Sequence, residues 1–462
     1  MSSLNSLPTP ATRRLGLLAL GLATLLPMLG GSLANMVLPA LGQAFAVPFA
    51  SLQWVLVAYL LGITCLTVVA GRLGDRFGRR RLLLLGLGLF ALASLLCALA
   101  PTIGWLIAAR ALQGIAAACM LSLALAMVGQ LVPPARRGWG MGLLGTLSAC
   151  GTALGPSFGG LLTASFGWQA PFLLLVPLSL LALGCARLGL PRDDCSPQEE
   201  RINLTSLSLL VAALLCYGLA LTLGGALALW WGAGALLVTG SFIRRERRAP
   251  VPLLPLALLG APGLSNGLLA SALVASVMVL TLLIGPFYLR GVFGLGLGTV
   301  GLMISGGPLL AALTGMPAGW LVDRLGARQV VRLGLAVMGA AALGLAGAAG
   351  QFGPLGYLLP ILLLTAGYAL FQTANNSAVV GGASEQTRGA VAGLLTLSRN
   401  LGQLTGVAGL GGLFAALVGE QGLTLASELV FGTRALFALS ALLIGLAFWL
   451  VGRRREGMLV SA

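Results

Sequence analysis

The chain has 462 residues, of which 58% are hydrophobic and only 8% are charged. So few charged groups could not cover a soluble protein of this length, and the composition therefore excludes a soluble globular fold. The net charge is +16, and every basic residue is an arginine. Because the arginines occupy short loops between apolar runs, they indicate membrane orientation. We expect the lipid bilayer, and not nucleic acid, as the partner.

Apolar segments long enough to cross a membrane follow one another along the chain. A transmembrane helix needs about 20 apolar residues, and the segments predict an all-α membrane protein of about 14 transmembrane helices. The expected helices lie at 15–37, 53–71, 82–100, 103–131, 140–163, 170–190, 203–223, 227–243, 264–289, 297–321, 329–349, 355–379, 390–417 and 433–451.

The arginines favour every second loop and so define an orientation. They are concentrated before the first segment and in the loop at 72–81, whereas the intervening loops hold almost none apart from Arg290 and Arg434. By the positive-inside rule, the arginine-rich loops lie in the cytoplasm. We therefore expect a multi-pass protein of the cell inner (plasma) membrane with both termini cytoplasmic.

The residue types that catalysis and metal binding need are scarce. The sequence contains no histidine, and its 7 cysteines lack the spacing of metal ligands. None of the 11 acidic residues lies at a predicted membrane midplane. We expect no metal site, no cofactor and no enzymatic activity, because an enzyme would need a nucleophile with a base, a metal cluster or paired acids.

A short motif occurs twice, each time between two apolar segments. Six residues of Gly71–Arg80 reappear 248 positions later in Gly319–Arg328. The repeated pairs are Gly71 and Gly319, Leu73 and Leu321, Asp75 and Asp323, Arg76 and Arg324, Gly78 and Gly326, and Arg80 and Arg328. Such duplication around hydrophobic helices is typical of secondary transporters, in which two related halves rock about a central site.

The duplication predicts two pseudo-symmetric six-helix bundles. We expect an N-terminal bundle at 1–190 and a C-terminal bundle at 263–462, because the polar stretch 191–203 ends the first half. Region 191–262 is then a cytoplasmic linker with two inserted helices, which carry no counterpart of the motif.

Further motifs stand in order along the chain. Arg110-Ala111-Leu112-Gln113-Gly114 lies in the fourth segment, Gly151 to Gly160 in the fifth, and Arg399-Asn400-Leu401-Gly402 in the thirteenth. Together with the two loop motifs, and with Trp54 and Tyr59, these residues resemble the major facilitator superfamily. The resemblance is specifically to its fourteen-helix drug:proton antiporter branch, of the multidrug efflux type, and it covers nearly the whole chain.

The resemblance implies that the loop motifs form a conformational latch, which stabilises the outward-facing state. Its residues are Gly71, Asp75, Arg76, Gly78, Arg79, Asp323 and Arg324. Glycine allows a tight turn, and a carboxylate can complement a helix N-terminus and pair with arginine. The alternative is that the arginines only determine the orientation of the helices in the membrane. That alternative does not explain why glycine, leucine and aspartate are repeated as well.

The fifth segment resembles the antiporter signature of that branch. The residues concerned are Gly151, Gly155, Pro156, Gly159 and Gly160. Glycines four residues apart share one helix face, where a neighbouring backbone can approach closely, and proline bends a helix. We expect this helix to seal the cavity between the halves while access changes, or to serve as a generic small-residue packing face.

Charged residues inside a membrane are costly, and they suggest a functional site. Arg110 and Arg399 lie well inside the fourth and thirteenth segments, and we expect them to line a substrate cavity. Polar residues expected to line the same cavity are Asn35, Tyr59, Gln113 and Asn400. The alternative is that these side chains bond to backbone carbonyls and only stabilise helix packing.

The charge distribution leaves two kinds of transport open. In the first segment, Gly30 stands where the antiporter branch has an acidic residue. The resemblance implies a secondary active transporter that works by alternating access and exports amphipathic drugs or metabolites, with protons as the coupled ion. Arginines without a midplane acid favour instead a facilitator or importer of an organic anion. In both cases we expect a small-molecule substrate and a monomer.

Overall fold

A computed structural model of the chain describes residues 10–133, 137–191, 193, 204–223, 225–249, 253, 256–260, 263–382, 387–419 and 425–452. Throughout these ranges the regular structure is helical, and no strand occurs in them. Both chain termini, and with them the predicted cytoplasmic location of the ends, lie outside the described residues.

The helices follow one another along the chain in the predicted order. The first eight are α1 (Pro10–Phe45), α2 (Phe49–Phe77), α3 (Arg79–Ala98), α4 (Ile103–Leu131), α5 (Arg137–Phe166), α6 (Ala170–Gly189), α7 (Leu204–Thr222) and α8 (Gly225–Glu246). A short 3₁₀ turn at Leu256–Gly260 precedes α9 (Leu264–Phe293), α10 (Leu297–Leu325), α11 (Ala327–Ala348) and α12 (Leu355–Gly381). The chain continues through α13 (Arg388–Thr405), a π-helical turn (Gly406–Leu410), α14 (Gly411–Val418) and α15 (Ala426–Gly452).

The all-α membrane fold with about fourteen spans is confirmed. In the described part of the chain, 13 helical segments are long and apolar enough to cross a bilayer. The segment from α13 to α14 counts as one of them, because the π turn does not interrupt the helix. α5 is the predicted span missing from that set, and glycine, serine and threonine fill much of its 30 residues.

The duplicated loop motif has the same backbone structure in both copies. Gly78 and Gly326 precede α3 and α11 with φ angles of 97° and 82°, a conformation that glycine adopts without steric cost. Their amides end the preceding helices alike, since Gly78 N donates to Gly74 O at 2.9 Å and Gly326 N donates to Val322 O at 2.9 Å. The sequence repeat is therefore also a structural repeat.

The helices group into two compact units. Unit 1 comprises Met1–Tyr217 with Gly296–Pro308, and unit 2 comprises Gly218–Leu295 with Leu309–Ala462. The first turns of α10 thus group with unit 1, and the end of α7 groups with unit 2. The domain boundaries at 1–190, 191–262 and 263–462 stay a prediction.

In unit 1, α5 packs on α1 through glycine. A Cβ atom on Gly151 would overlap the carbonyl oxygen of Leu25, and one on Gly155 would overlap the Ser32 side chain. The Ser32 hydroxyl lies 3.2 Å from Gly151 O across the same contact, and its shorter hydrogen bond is to Met28 O of its own helix at 2.9 Å. The two backbones approach as closely as they do because no side chain separates them.

Unit 2 repeats this arrangement between α9 and the segment that starts with α13. A Cβ atom on Gly402 would overlap the Ala272 carbonyl oxygen, and one on Gly406 would overlap that of Ser276. Gly402 and Gly406 are four residues apart, like Gly151 and Gly155. The equivalent helix pairs of the two units are therefore joined by the same kind of glycine contact.

We expect the Gly402→Ala substitution to lower the thermal stability of the protein. The added methyl group forces α13 away from α9, and overpacking of this kind costs about 1–3 kcal/mol. Thermal unfolding of the purified protein in detergent measures the change. Gly393→Ala, in the same helix, is the control because nothing lies within 4 Å of its Cβ position. Equal melting temperatures for the two variants would contradict the contact.

Candidate functional site

Arg110 is the centre of a buried network in unit 1. Its side chain on α4 has 0% of its surface exposed. The guanidinium donates to backbone carbonyls of two other helices, from Nε to Val55 O at 3.1 Å and from Nη1 to Gly30 O at 3.2 Å. Nη1 also donates to the Gln113 side-chain oxygen one turn further along α4.

Aromatic rings and a second hydrogen bond extend this network. The Arg110 guanidinium carbon lies 4.2 Å from the centre of the Tyr59 ring and 6.0 Å from that of Phe172 on α6. The Tyr59 hydroxyl donates to Pro27 O at 2.7 Å, and Gln113 Nε2 donates to the Ser94 hydroxyl of α3 at 2.7 Å. Arg110 therefore ties α1, α2, α3, α4 and α6 together, and cation–π contacts help to stabilise its charge.

The position of Gly30 shows how this charge is accommodated. The Gly30 carbonyl faces Arg110, and a Cβ atom on Gly30 would lie 3.2 Å from Phe90 and 3.3 Å from Leu175. Backbone dipoles, rather than a carboxylate, thus face the guanidinium at the place where the antiporter branch has its acid. Arg110 Nη2 is buried without a hydrogen-bond partner in the described part of the chain.

The predicted cavity residues fall into separate groups. The structure brings Tyr59, Arg110 and Gln113 together, all of them buried. Asn35 is also buried, and its side-chain nitrogen donates to Gly31 O of its own helix at 3.2 Å. Arg399 and Asn400 belong to unit 2, where both are half-buried on α13. The geometry of the first group favours helix packing, and the cavity roles of all six stay a prediction.

At the first loop motif, an aspartate that sequence reasoning missed completes the start of α3. Asp193 Oδ1 accepts from the Arg80 amide at 2.8 Å, and Oδ2 accepts from the Arg81 amide at 3.0 Å. These amides lie in the first turn of α3. Amides in the first turn of a helix have no acceptor within the helix itself. Asp193 therefore caps α3 from the segment after α6, and its negative charge complements the helix dipole. Its only sequence signal is an acid close after a helix end.

The last arginine of each motif copy bonds to the final helix of its half. Arg80 Nη2 donates to Arg187 O in the last turn of α6 at 2.7 Å, and Arg328 Nη2 lies 3.5 Å from Gly452 O at the end of α15. Cations at a helix C-terminus stabilise the unpaired carbonyls there. The repeated arginines thus do more than set topology.

The other predicted latch residues have local partners. Arg76 lies over the ring of Phe77 at 5.2 Å, and Arg324 lies over the ring of Trp320 at 4.2 Å. Asp323 is exposed, and Arg79 and Gly71 are half-buried. The backbone of Asp75 belongs to α2, but its side chain lies outside the described structure. The latch stays a prediction.

The small residues of α5 form two faces with different neighbours. Gly151, Gly155 and Gly159 all face α1, where a Cβ on Gly159 would lie 3.0 Å from Met36. Pro156 and Gly160 face the first turns of α10, which belong to the same unit. There a Cβ on Gly160 would overlap the Leu297 carbonyl oxygen, and one on Gly301 would overlap that of Pro156. The hydroxyls of Ser157 and Ser305 form a hydrogen bond beside this contact.

These features define the class of protein. A multi-pass helical chain with duplicated loop motifs and small-residue helix contacts has the architecture of a membrane transporter. The sequence matches the model of the Major Facilitator Superfamily over residues 20–407, and the chain belongs to this family. The family resemblance seen in the sequence motifs is therefore confirmed. The expectation of a transporter rather than an enzyme is confirmed as well.

Individual transporters resemble the chain in sequence and in fold. The chain is 32% identical to the uncharacterized transporter YebQ of Escherichia coli strain K12, over 86% of this chain and 89% of YebQ. It is 29% identical to the tetracenomycin C resistance and export protein of Streptomyces glaucescens, over 87% of this chain and 76% of that protein. Its fold is similar to an inward-facing, occupied structure of a bacterial homologue of the human lysosomal transporter Spinster. That comparison has a TM-score of 0.73 and 17% identity, over 97% of this chain and 98% of the other.

We expect Arg110→Met to destabilise the protein by about 2–4 kcal/mol, because it leaves buried carbonyls and the Gln113 amide without their partner. Denaturant unfolding of the purified protein in detergent measures the loss. Arg290→Met removes the same charge from the last turn of α9 and is the control. Equal stability of the two variants would show that the Arg110 network does not hold the helices together.

Asp193→Ala should expose the first turn of α3 to exchange with solvent. Loss of a cap costs about 1 kcal/mol, so the amides of Arg80 and Arg81 should exchange about fivefold faster. Hydrogen–deuterium exchange of the peptide that begins α3 provides the readout. Asp193→Asn keeps one acceptor oxygen and should give an intermediate rate. An unchanged rate in both variants would rule out the cap.

Proposed function

We propose that this protein is a secondary active transporter of the cell inner membrane, which exports amphipathic drugs or metabolites in exchange for protons. Alternating access would arise from rocking of the two six-helix bundles, predicted at 1–190 and 263–462, with both termini in the cytoplasm. A relative that is named for tetracenomycin C resistance and export supports the direction of transport. Loop motifs with the same backbone at Gly78 and Gly326 support two related halves.

The contact between α5 and the start of α10 carries this proposal. It consists of backbone and small side chains, with Gly160 and Gly301 placed against each other. Such a surface can part and close again without rearranging large side chains. The opposite face of α5 is fixed on α1 by Gly151 and Gly155, so α5 would stay with α1 while its contact with α10 opens.

Proton coupling would have to use carboxylates at helix ends. In the described part of the chain, Asp323 lies in the last turn of α10, Glu246 at the end of α8 and Glu428 in the first turn of α15. Asp193 is committed to the start of α3. The proton would therefore be exchanged near the membrane surface, where its release changes the loop contacts.

A facilitator or importer of an organic anion is the second candidate. The half-buried Arg399 favours it, because an arginine that is only partly covered inside a span can bind an anion. Transport by such a facilitator would not depend on the proton gradient, whereas export in exchange for protons would.

Transport by purified protein in liposomes under an imposed proton gradient tests the proposal. Accumulation of ethidium, a lipophilic cation, and of a matched organic anion is followed with and without an uncoupler. Accumulation that the uncoupler abolishes supports proton-coupled export. Movement of the anion alone, independent of the gradient, supports the facilitator and contradicts the exporter.

A matched pair of α5 variants tests the contact itself. Gly160→Ala should slow transport about tenfold, because the added methyl group prevents the approach of α10 and costs about 1–3 kcal/mol. Gly145→Ala, on a part of α5 with nothing within 4 Å of its Cβ position, should transport normally. Equal transport by both variants would show that the α5–α10 contact has no part in the cycle.

A further inference from the structure

One face of α13 is fixed on α9, and this determines where its other side chains lie. The Ser398 hydroxyl donates to the Leu268 carbonyl oxygen, and Gly402 lies against the Ala272 carbonyl. Both contacts are on the same side of α13, four residues apart. The rotation of α13 about its axis is therefore set by hydrogen bonding and by close backbone packing.

The adjacent face of α13 carries three polar side chains. At about 100° per residue, Arg399, Asn400 and Gln403 fall within about one third of the helix circumference. All three are half-buried, and none has a side-chain hydrogen bond or ion pair with another described residue. Arg399 lies close enough to the Tyr368 phenol of α12 for the two groups to interact electrostatically. Their hydrogen-bonding groups thus remain available.

Arg399 lies deep within its membrane span. The apolar segment runs from Ala390 to Val418 and has 29 residues. Arg399 is nine residues from its start, or about 14 Å at about 1.5 Å per residue, within a hydrocarbon core about 30 Å thick. A guanidinium exposed to lipid at this depth would be costly. The exposed part of Arg399 would therefore be more stable against water or a polar solute than against lipid.

The two membrane arginines differ in what surrounds them. Arg110 has 0% exposure and bonds to Val55, Gly30 and Gln113, so it presents no surface to a solute. Arg399 is partly exposed and has its hydrogen-bond donors free among the described residues. A planar guanidinium with free donors matches a carboxylate or sulfonate, which accepts two parallel hydrogen bonds.

The helix also departs from α geometry next to this face. A π-helical turn begins at Gly406, three residues after Gln403. Such turns occur frequently at functional sites, because they shift the register of the helix around them. Here the turn separates the polar face from the apolar α14.

We propose that Arg399, together with Asn400 and Gln403, binds the anionic group of the transported molecule. The substrates are therefore anionic or zwitterionic amphiphiles, and Arg110 is a positioning residue that orders the helices of unit 1. This inference rests on the proposed transport function and specifies its substrate class.

Three naphthalene derivatives that share a naphthylmethyl body and end in an anionic, a neutral or a cationic group test this. They are naphthaleneacetate, naphthylethanol and naphthylethylammonium, titrated calorimetrically into the protein in lipid nanodiscs, with empty nanodiscs as the blank. The wild type should bind the anion at least tenfold tighter than the alcohol, as expected for a charge-assisted hydrogen bond. Arg399→Gln should abolish that preference and change binding of the alcohol less than about threefold.

Two further variants make the result specific. Arg399→Lys keeps the charge and should retain most of the preference, whereas Arg290→Gln removes a charge outside the face and should behave as wild type. The inference is overturned if the wild type binds the three probes equally or not at all, or if Arg399→Gln weakens all three alike. Ethidium export without anion preference would overturn it and leave the exporter standing. Anion binding without transport of any probe would overturn the transport proposal instead.

Discussion

Close approach of helix backbones at glycine is the constraint on which the rest of this structure depends. In a bilayer, lipid solvates apolar side chains as well as another helix does, so association needs tight packing and hydrogen bonds. Gly151 and Gly155 provide that packing on α1, and Gly402 and Gly406 provide it on α9. Each contact also fixes the rotation of a helix. That rotation decides which side chains of α5 and α13 are left to meet α10 or a solute.

The two arginines inside membrane spans have opposite surroundings. Arg110 is enclosed by backbone carbonyls, an amide and aromatic rings, and this arrangement spreads its charge over groups that stay in place. Arg399 is half-buried, and its donors have no hydrogen-bond partner among the described residues. The same residue type is thus fully enclosed in one unit and partly exposed in the other. The difference arises from the neighbours and not from the arginine.

Much of the fold could be predicted from the sequence, because apolar length and the positive-φ glycines at 78 and 326 are local properties. The different burial of Arg110 and Arg399 could not be predicted, since both have the same residue type and a similar depth in their spans. Burial depends on packing between helices that are distant in sequence. The cap of α3 was missed for the same reason, as Asp193 and the Arg80 amide are 113 residues apart. The π turn has no sequence signature at all.

The Asp193 cap also bears on how the protein is made. α3 enters the membrane long before Asp193 has been synthesised, and until then the first turn of α3 lacks the partners of two of its amides. The amides of Arg80 and Arg81 can therefore form these two hydrogen bonds only after the ribosome has passed α6. Asp193 thus completes a helix start that was synthesised 113 residues earlier.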